Sequence, residues 1–144
     1  MNRIVAMAVA ILTIGTIGMA AGFAIAKSIY PPVQILVSDT KTVIGEEMAY
    51  PEGIPKITAA IITMQVGQTT GWHKHDAPLF AWVLEGEITV DYGEHGKRTY
   101  SEGDAFLEAF TSYHNGKNTG DNFARVLAVF AGAEGTDNTS MRDN

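Results

Sequence analysis

Two histidines stand one residue apart in Gly71-Trp72-His73-Lys74-His75-Asp76-Ala77-Pro78. In an extended strand, side chains at i and i+2 point to the same face. His73 and His75 then present two imidazoles side by side, with Trp72 and Lys74 turned the other way. Imidazole is the commonest protein ligand for transition metals. Two from one short strand need only one or two more ligands from elsewhere in the chain.

The elements that must hold such a pair are strands. Lys56 to Val66 is rich in β-branched residues and predicts a strand buried on both faces in its middle. Gly67-Gln68 turns, Thr69 to His75 is the histidine strand, and Asp76-Ala77-Pro78 breaks it. Leu79 to Leu84 predicts an apolar strand. Glu87 to Tyr92 alternates, with Ile88 and Val90 on one face and Glu87, Thr89 and Asp91 on the other. Gly93-Glu94-His95-Gly96 reads as a hairpin tip, which makes His95 a solvated surface residue. Lys97 to Tyr100, Ala105 to Ala109 and Phe123 to Ala131 supply further strands, and Tyr113 to Lys117 carries His114. Upstream, Ile35-Leu36-Val37 and Thr40 to Ile44 offer two short ones, and Gly135 onward reads as a frayed tail. No segment after Ala26 shows a helical period over three turns. Many short strands between glycine turns predict an all-β sandwich or barrel.

The chain has 144 residues, a length that fits one ordinary domain. It has no cysteine, which excludes disulfides and zinc–thiolate sites. Acidic residues outnumber basic ones by 16 to 10, and no basic run is present, which argues against nucleic acid. Asn2-Arg3 precedes an uncharged stretch, Ile4 to Ala26, that as a helix would reach about 34 Å, enough to cross a hydrocarbon core of about 30 Å. The same stretch fits a signal peptide, with Ala24-Ile25-Ala26 as the small-x-small cleavage site and Lys27 as the mature N-terminus. Both readings place Lys27 onward outside the cytoplasm, in the periplasm, because Arg3 favours an inside N-terminus. The uncleaved form is tethered to the membrane through residues 4–26.

Gly67, five residues, His73-x-His75, then Gly86 resembles the first motif of the cupin superfamily. Gly103, ten residues, His114, three residues, Asn118 resembles the second. The resemblance covers roughly Ile57 to Ala131 and implies an all-β, cupin-type jelly-roll β-barrel behind an N-terminal signal or anchor helix. The organisation is then 1–26 signal peptide or transmembrane anchor, 27–56 extended linker with N-terminal strands, 57–131 cupin domain, and 132–144 C-terminal tail. The resemblance carries the family's metal ligands onto His73, His75 and His114. The first motif's usual glutamate is missing, because its slot holds Leu79, followed by Phe80. The second motif's usual proline and glycine are replaced by Ala109 and Thr111.

Two ligand sets follow. In one, the three histidines form a neutral face that leaves positions open on the metal, an arrangement that resembles three-histidine cupins such as the thiol dioxygenases and diketone-cleaving enzymes, both iron-dependent. In the other, Glu108, set in the apolar stretch Ala105-Phe106-Leu107-Glu108-Ala109, supplies a fourth ligand or an acid–base group. One divalent transition metal is implied, with Fe, Mn, Ni, Cu and Zn all admissible at an imidazole site. Leu79 and the aromatics near both motifs (Trp72, Phe80, Trp82, Phe106, Phe110, Tyr113) imply a pocket for a small apolar or aromatic molecule. The functional expectation is a non-haem oxygenase or a related isomerase or lyase. The alternative is a non-catalytic module that binds a small molecule or a metal. A homodimer is expected through an added edge strand, with Ile35-Leu36-Val37 offered for it.

Overall fold

The structure is a computed structural model and describes residues 31–143. The stretch 1–26, read as signal peptide or anchor, lies outside the described residues. Among those residues no helix is long and apolar enough to cross a membrane.

Short β-branched and aromatic runs between turns become nine strands, with no α-helix among the described residues. They are β1 (Pro55–Met64), β2 (His73–Lys74), β3 (Leu79–Glu85), β4 (Glu87–Asp91), β5 (Lys97–Ser101), β6 (Ala105–Leu107), β7 (Asn115–Asn118), β8 (Ala124–Ala133) and β9 (Ser140–Met141). All pairings are antiparallel. One sheet has the order β1-β8-β3-β6, a second β5-β4-β7, and a third pairs β2 with β9. This all-β arrangement agrees with a jelly roll.

Period-2 alternation decides what faces inward. Leu79, Ala81 and Val83 of β3, Ile88 and Val90 of β4, and Val126, Ala128 and Phe130 of β8 are buried. Tyr100 stacks on Phe106, their ring centroids 3.7 Å apart and nearly parallel, and so joins β5 to β6. Gly86 makes the tight turn from β3 to β4 with φ +77°. A Cβ there would lie 2.7 Å from the Phe123 carbonyl oxygen, so only glycine fits.

Three expectations change. Ile35-Leu36-Val37 forms no strand, and from 31 to 54 the only pairing is a bridge of Lys41 with Glu47. That stretch is nevertheless docked: Val43 donates its N–H to the Leu107 carbonyl at 2.8 Å, and Val43 and Ile44 pack on the core. β1 is exposed along nearly its whole length instead of buried on both faces, because it is a sheet edge paired only with β8. The tail does not fray. Ser140 and Met141 add to the histidine strand as β9, and the Arg142 N–H bonds the Trp72 carbonyl at 2.9 Å.

Candidate metal centre

His73 lies on β2, and His114 just precedes β7. The two backbones pair directly: the His73 N–H donates to the His114 carbonyl at 3.0 Å, and the reverse bond is 2.9 Å. Directly opposed residues of an antiparallel pair share a face, so the two rings meet, with centroids 4.4 Å apart. His75, two residues on, points the same way and lies 5.0 Å from each of the other rings. All three histidines are buried, and one nitrogen from each falls within 4.8 Å of the others.

Backbone carbonyls fix which nitrogen faces inward. His73 Nδ1 donates to the Gly71 carbonyl at 2.8 Å, His75 Nδ1 to the Asn138 carbonyl at 2.8 Å, and His114 Nδ1 to the Ser112 carbonyl at 3.0 Å. A carbonyl only accepts, so each Nδ1 carries the proton and each Nε2 keeps its lone pair. Gly71 reaches its part of this geometry with φ +78°. Nε2 of His75 and of His114 are buried and without any hydrogen-bond partner. Burial holds all three imidazoles below their ordinary pKa, His75 down to about 3, so they stay neutral. Neutral, convergent and unpartnered Nε2 atoms are what a divalent ion requires of its ligands.

The rings border a cavity of about 190 Å³ walled by Ile62, Leu79, Val90, Phe106, Val126 and Phe130, with Thr70 and Thr139 adding hydroxyls. Glu108 is buried in the same wall. One of its oxygens accepts the Ala109 N–H at 2.7 Å, and the other lies 3.9 Å from His114 Nε2. Burial pushes its carboxyl up to about 7, against the pull of the Ala109 N–H and the Tyr92 hydroxyl. The Tyr92 hydroxyl lies 3.2 Å from that of Tyr100, and burial drives both phenols up, Tyr100 to about 12.

The second motif's asparagine acts on the scaffold. Asn118 Nδ2 donates to the carbonyls of Met64 and Asn122 at 2.9 and 2.8 Å, tying β7 to the end of β1. The family profile described as Cupin domain matches residues 60–130, which runs from within β1 to within β8 and takes in all three histidines. The chain belongs to the cupin superfamily.

Solved structures resemble this cupin at the level of fold. DMSP lyase DddQ from Ruegeria pomeroyi superposes with TM-score 0.52 at 22% identity, over 59% of this chain and 42% of that one. An oxalate decarboxylase from Lactobacillus farciminis, solved as a formate complex, gives 0.51 at 23%, over 59% and 26%. A Bacillus halodurans protein gives 0.50 at 23%, over 57% and 67%. The match to the two enzymes thus spans less than half of their length. No curated protein matches this cupin in sequence.

Of the residues read from the sequence, His73, His75, His114 and Glu108 come together, and His95 lies exposed at the hairpin tip. Of the six aromatics, only Phe106 lines the cavity, whereas Phe130 lines it without having been anticipated. Phe80 and Trp82 alternate with the buried Leu79, Ala81 and Val83 and so face out of the barrel. The sequence also gave no hint of Asn138, Thr139 and Met141, which complete one wall from the C-terminal segment. Backbone acceptors such as the Asn138 carbonyl leave no residue-type signature.

Proposed function

We propose that this cupin is a metal-dependent enzyme in which His73, His75 and His114 hold one divalent transition ion, with Glu108 as a fourth ligand or an acid–base group. The observation that carries the reading is the pair of buried, partnerless Nε2 atoms on His75 and His114 facing a shared cavity. An apolar ligand alone would leave those lone pairs buried without a partner, which is costly. When bound, the ion supplies Lewis acidity toward a carbonyl, enolate or thiolate.

The chain's own residues do the remaining work. The apolar wall admits a small hydrophobic or aromatic molecule and excludes water around it. Glu108, with a pKa of about 7, is able to hold or release a proton beside the rings near neutrality. The reaction class that fits is a non-haem oxygenase or a related isomerase or lyase. A substrate-binding module without turnover is the second reading, favoured by a cavity lining in which, among the described residues, Glu108 is the single carboxylate and no paired acid–base group faces it.

We further read the protein as exported or membrane-tethered to the periplasm through residues 1–26. We also read it as a homodimer whose contact is the exposed edge of β1, where Ile57, Ala59 and Ile61 project on one face. Elemental analysis of the chain purified without chelators tests the central claim. About one transition ion per chain is expected, and no stoichiometric metal under any loading condition would end it. Turnover of small apolar carbonyl or thiol compounds by the loaded protein, against binding alone, separates enzyme from module.

A further inference from the structure

Glu46 lies in the segment expected to be a linker, yet its carboxylate holds the loop that carries the second motif. One oxygen accepts the N–H of Thr111 at 3.2 Å, the N–H of Ser112 at 2.9 Å, and the hydroxyls of both residues at 2.9 and 2.7 Å. The other accepts the Phe110 N–H at 2.6 Å and the Thr42 hydroxyl at 3.3 Å. Three consecutive backbone N–H groups aimed at one carboxylate make an anion nest. Burial raises the pKa of Glu46, but these donors outweigh it and hold the carboxyl below its ordinary value.

The same loop faces the metal centre with its carbonyls. Phe110 accepts the His75 N–H at 3.0 Å, and Ser112 accepts His114 Nδ1 at 3.0 Å. Thr111 stands where the family motif has glycine and Ala109 where it has proline, so the loop has neither glycine's freedom nor proline's fixed φ. Thr111 instead brings a hydroxyl that Glu46 binds. Glu46 is itself anchored: its N–H donates to Thr42 Oγ1 at 3.1 Å, and the adjoining Val43 is bonded to Leu107.

We propose that Glu46 is a positioning residue of the histidine cluster, its carboxylate setting the 110–112 loop and, through that loop's carbonyls, the placement of His75 and the tautomer of His114. The consequence for metal affinity rests on the metal reading above; the consequence for the tautomer does not.

The test is Glu46→Gln in the full chain. It keeps the side chain's shape, removes the charge, and turns an amide NH2 toward backbone donors. Nitrogen-15 spectra of the histidine rings, taken metal-free, should show His114 protonated at Nδ1 in the wild type and a mixture of tautomers in the variant. Co(II) titration followed by visible absorption should show affinity weakened about 10- to 100-fold, the usual effect of losing a ligand's supporting partner. Ser112→Ala removes a single hydroxyl and should move both readouts in the same direction by less, which keeps the test available if Glu46→Gln expresses poorly. Unchanged tautomers together with unchanged Co(II) affinity in either folded variant overturn the proposal. A wild type that ignores Co(II), while Glu46→Gln still scrambles the tautomer, upholds Glu46 and sinks the metal reading instead.

Discussion

Glu108 lies directly across the β3–β6 pair from Leu79, and its N–H donates to the Leu79 carbonyl at 2.9 Å. Position 79 is the slot where the cupin motif usually has its glutamate. A carboxylate therefore stands opposite that slot, just past the end of β6, and both side chains face the same cavity. If this is a transposed ligand, Glu108→Leu should weaken Co(II) or Mn(II) binding roughly 10- to 100-fold, on the scale of losing a metal partner. The double variant Leu79→Glu/Glu108→Leu should recover a large part of it. Isothermal titration of the three proteins decides the matter; equal affinities throughout would make Glu108 a bystander to the metal.

Removing an imidazole should empty the site. His75→Ala and His114→Ala each leave two ring nitrogens in a buried cleft. Elemental analysis after metal loading should show less than about a tenth of wild-type content. His95→Ala, at the exposed hairpin tip, should retain all of it. Full occupancy in His114→Ala would refute the ligand assignment.

The metal-free protein should be squeezed by pH from both sides. His75 is pushed down to about 3 from 6.5, so between those values the unfolded chain takes up a proton that the folded chain refuses. Its contribution is complete above about pH 6.5 and is lost as pH falls toward 3. Glu108 runs oppositely, with a carboxyl raised from 4.5 to about 7. Its contribution is present below 4.5 and lost as pH rises through 7. Glu108→Gln removes that second limb. Chelator-treated Glu108→Gln should therefore gain on the wild type by up to about 3 kcal/mol between pH 4.5 and 8. Urea melts at the two pH values measure the difference, and a gap that does not widen with pH contradicts the buried-carboxyl account.

The cavity wall predicts ligand class. Thermal-shift screening of the loaded protein should show stabilisation by small aromatic or aliphatic carbonyl compounds of a size suited to about 190 Å³. Stabilisation by sugars or nucleotides alone would contradict it.

The exposed edge of β1 predicts the dimer. Ile57→Lys with Ile61→Lys places charge along that edge without touching the cavity, because both side chains lie on the opposite face from Ile62 and Met64. Light scattering should show the wild type as a dimer and the double variant as a monomer with unchanged metal content. A wild-type monomer at tens of micromolar would remove the edge from consideration.

The histidine strand, the hairpin tip and the inward face of β4 are legible because each follows from period-2 alternation and local turn residues, whereas β3 is apolar at every position from Leu79 to Leu84 and so does not say which face is inward. The placement of β1 is not legible either. Its composition shows a preference for strand, but whether a strand is central or at an edge is decided by partners far along the chain. A place for Glu108 beside the three histidines is one of two readings the sequence leaves open, since an apolar stretch with one carboxylate does not say which way that carboxylate points. Glu46 and Asn138 stayed invisible for a further reason. Glu46 acts through backbone N–H groups and Asn138 through its own backbone carbonyl, and every residue type has these.

The docking of residues 138–142 orders events in time. A chain lengthening from its N-terminus possesses all three imidazoles once His114 has been made. The carbonyl that turns His75, and the strand that lies against His73, arrive only with Asn138 to Met141. Before then His75 is free to present either nitrogen. A cluster that is chemically complete is therefore geometrically unfinished until synthesis has passed the last strand. Orientation of the third imidazole is then among the last events in building the cluster.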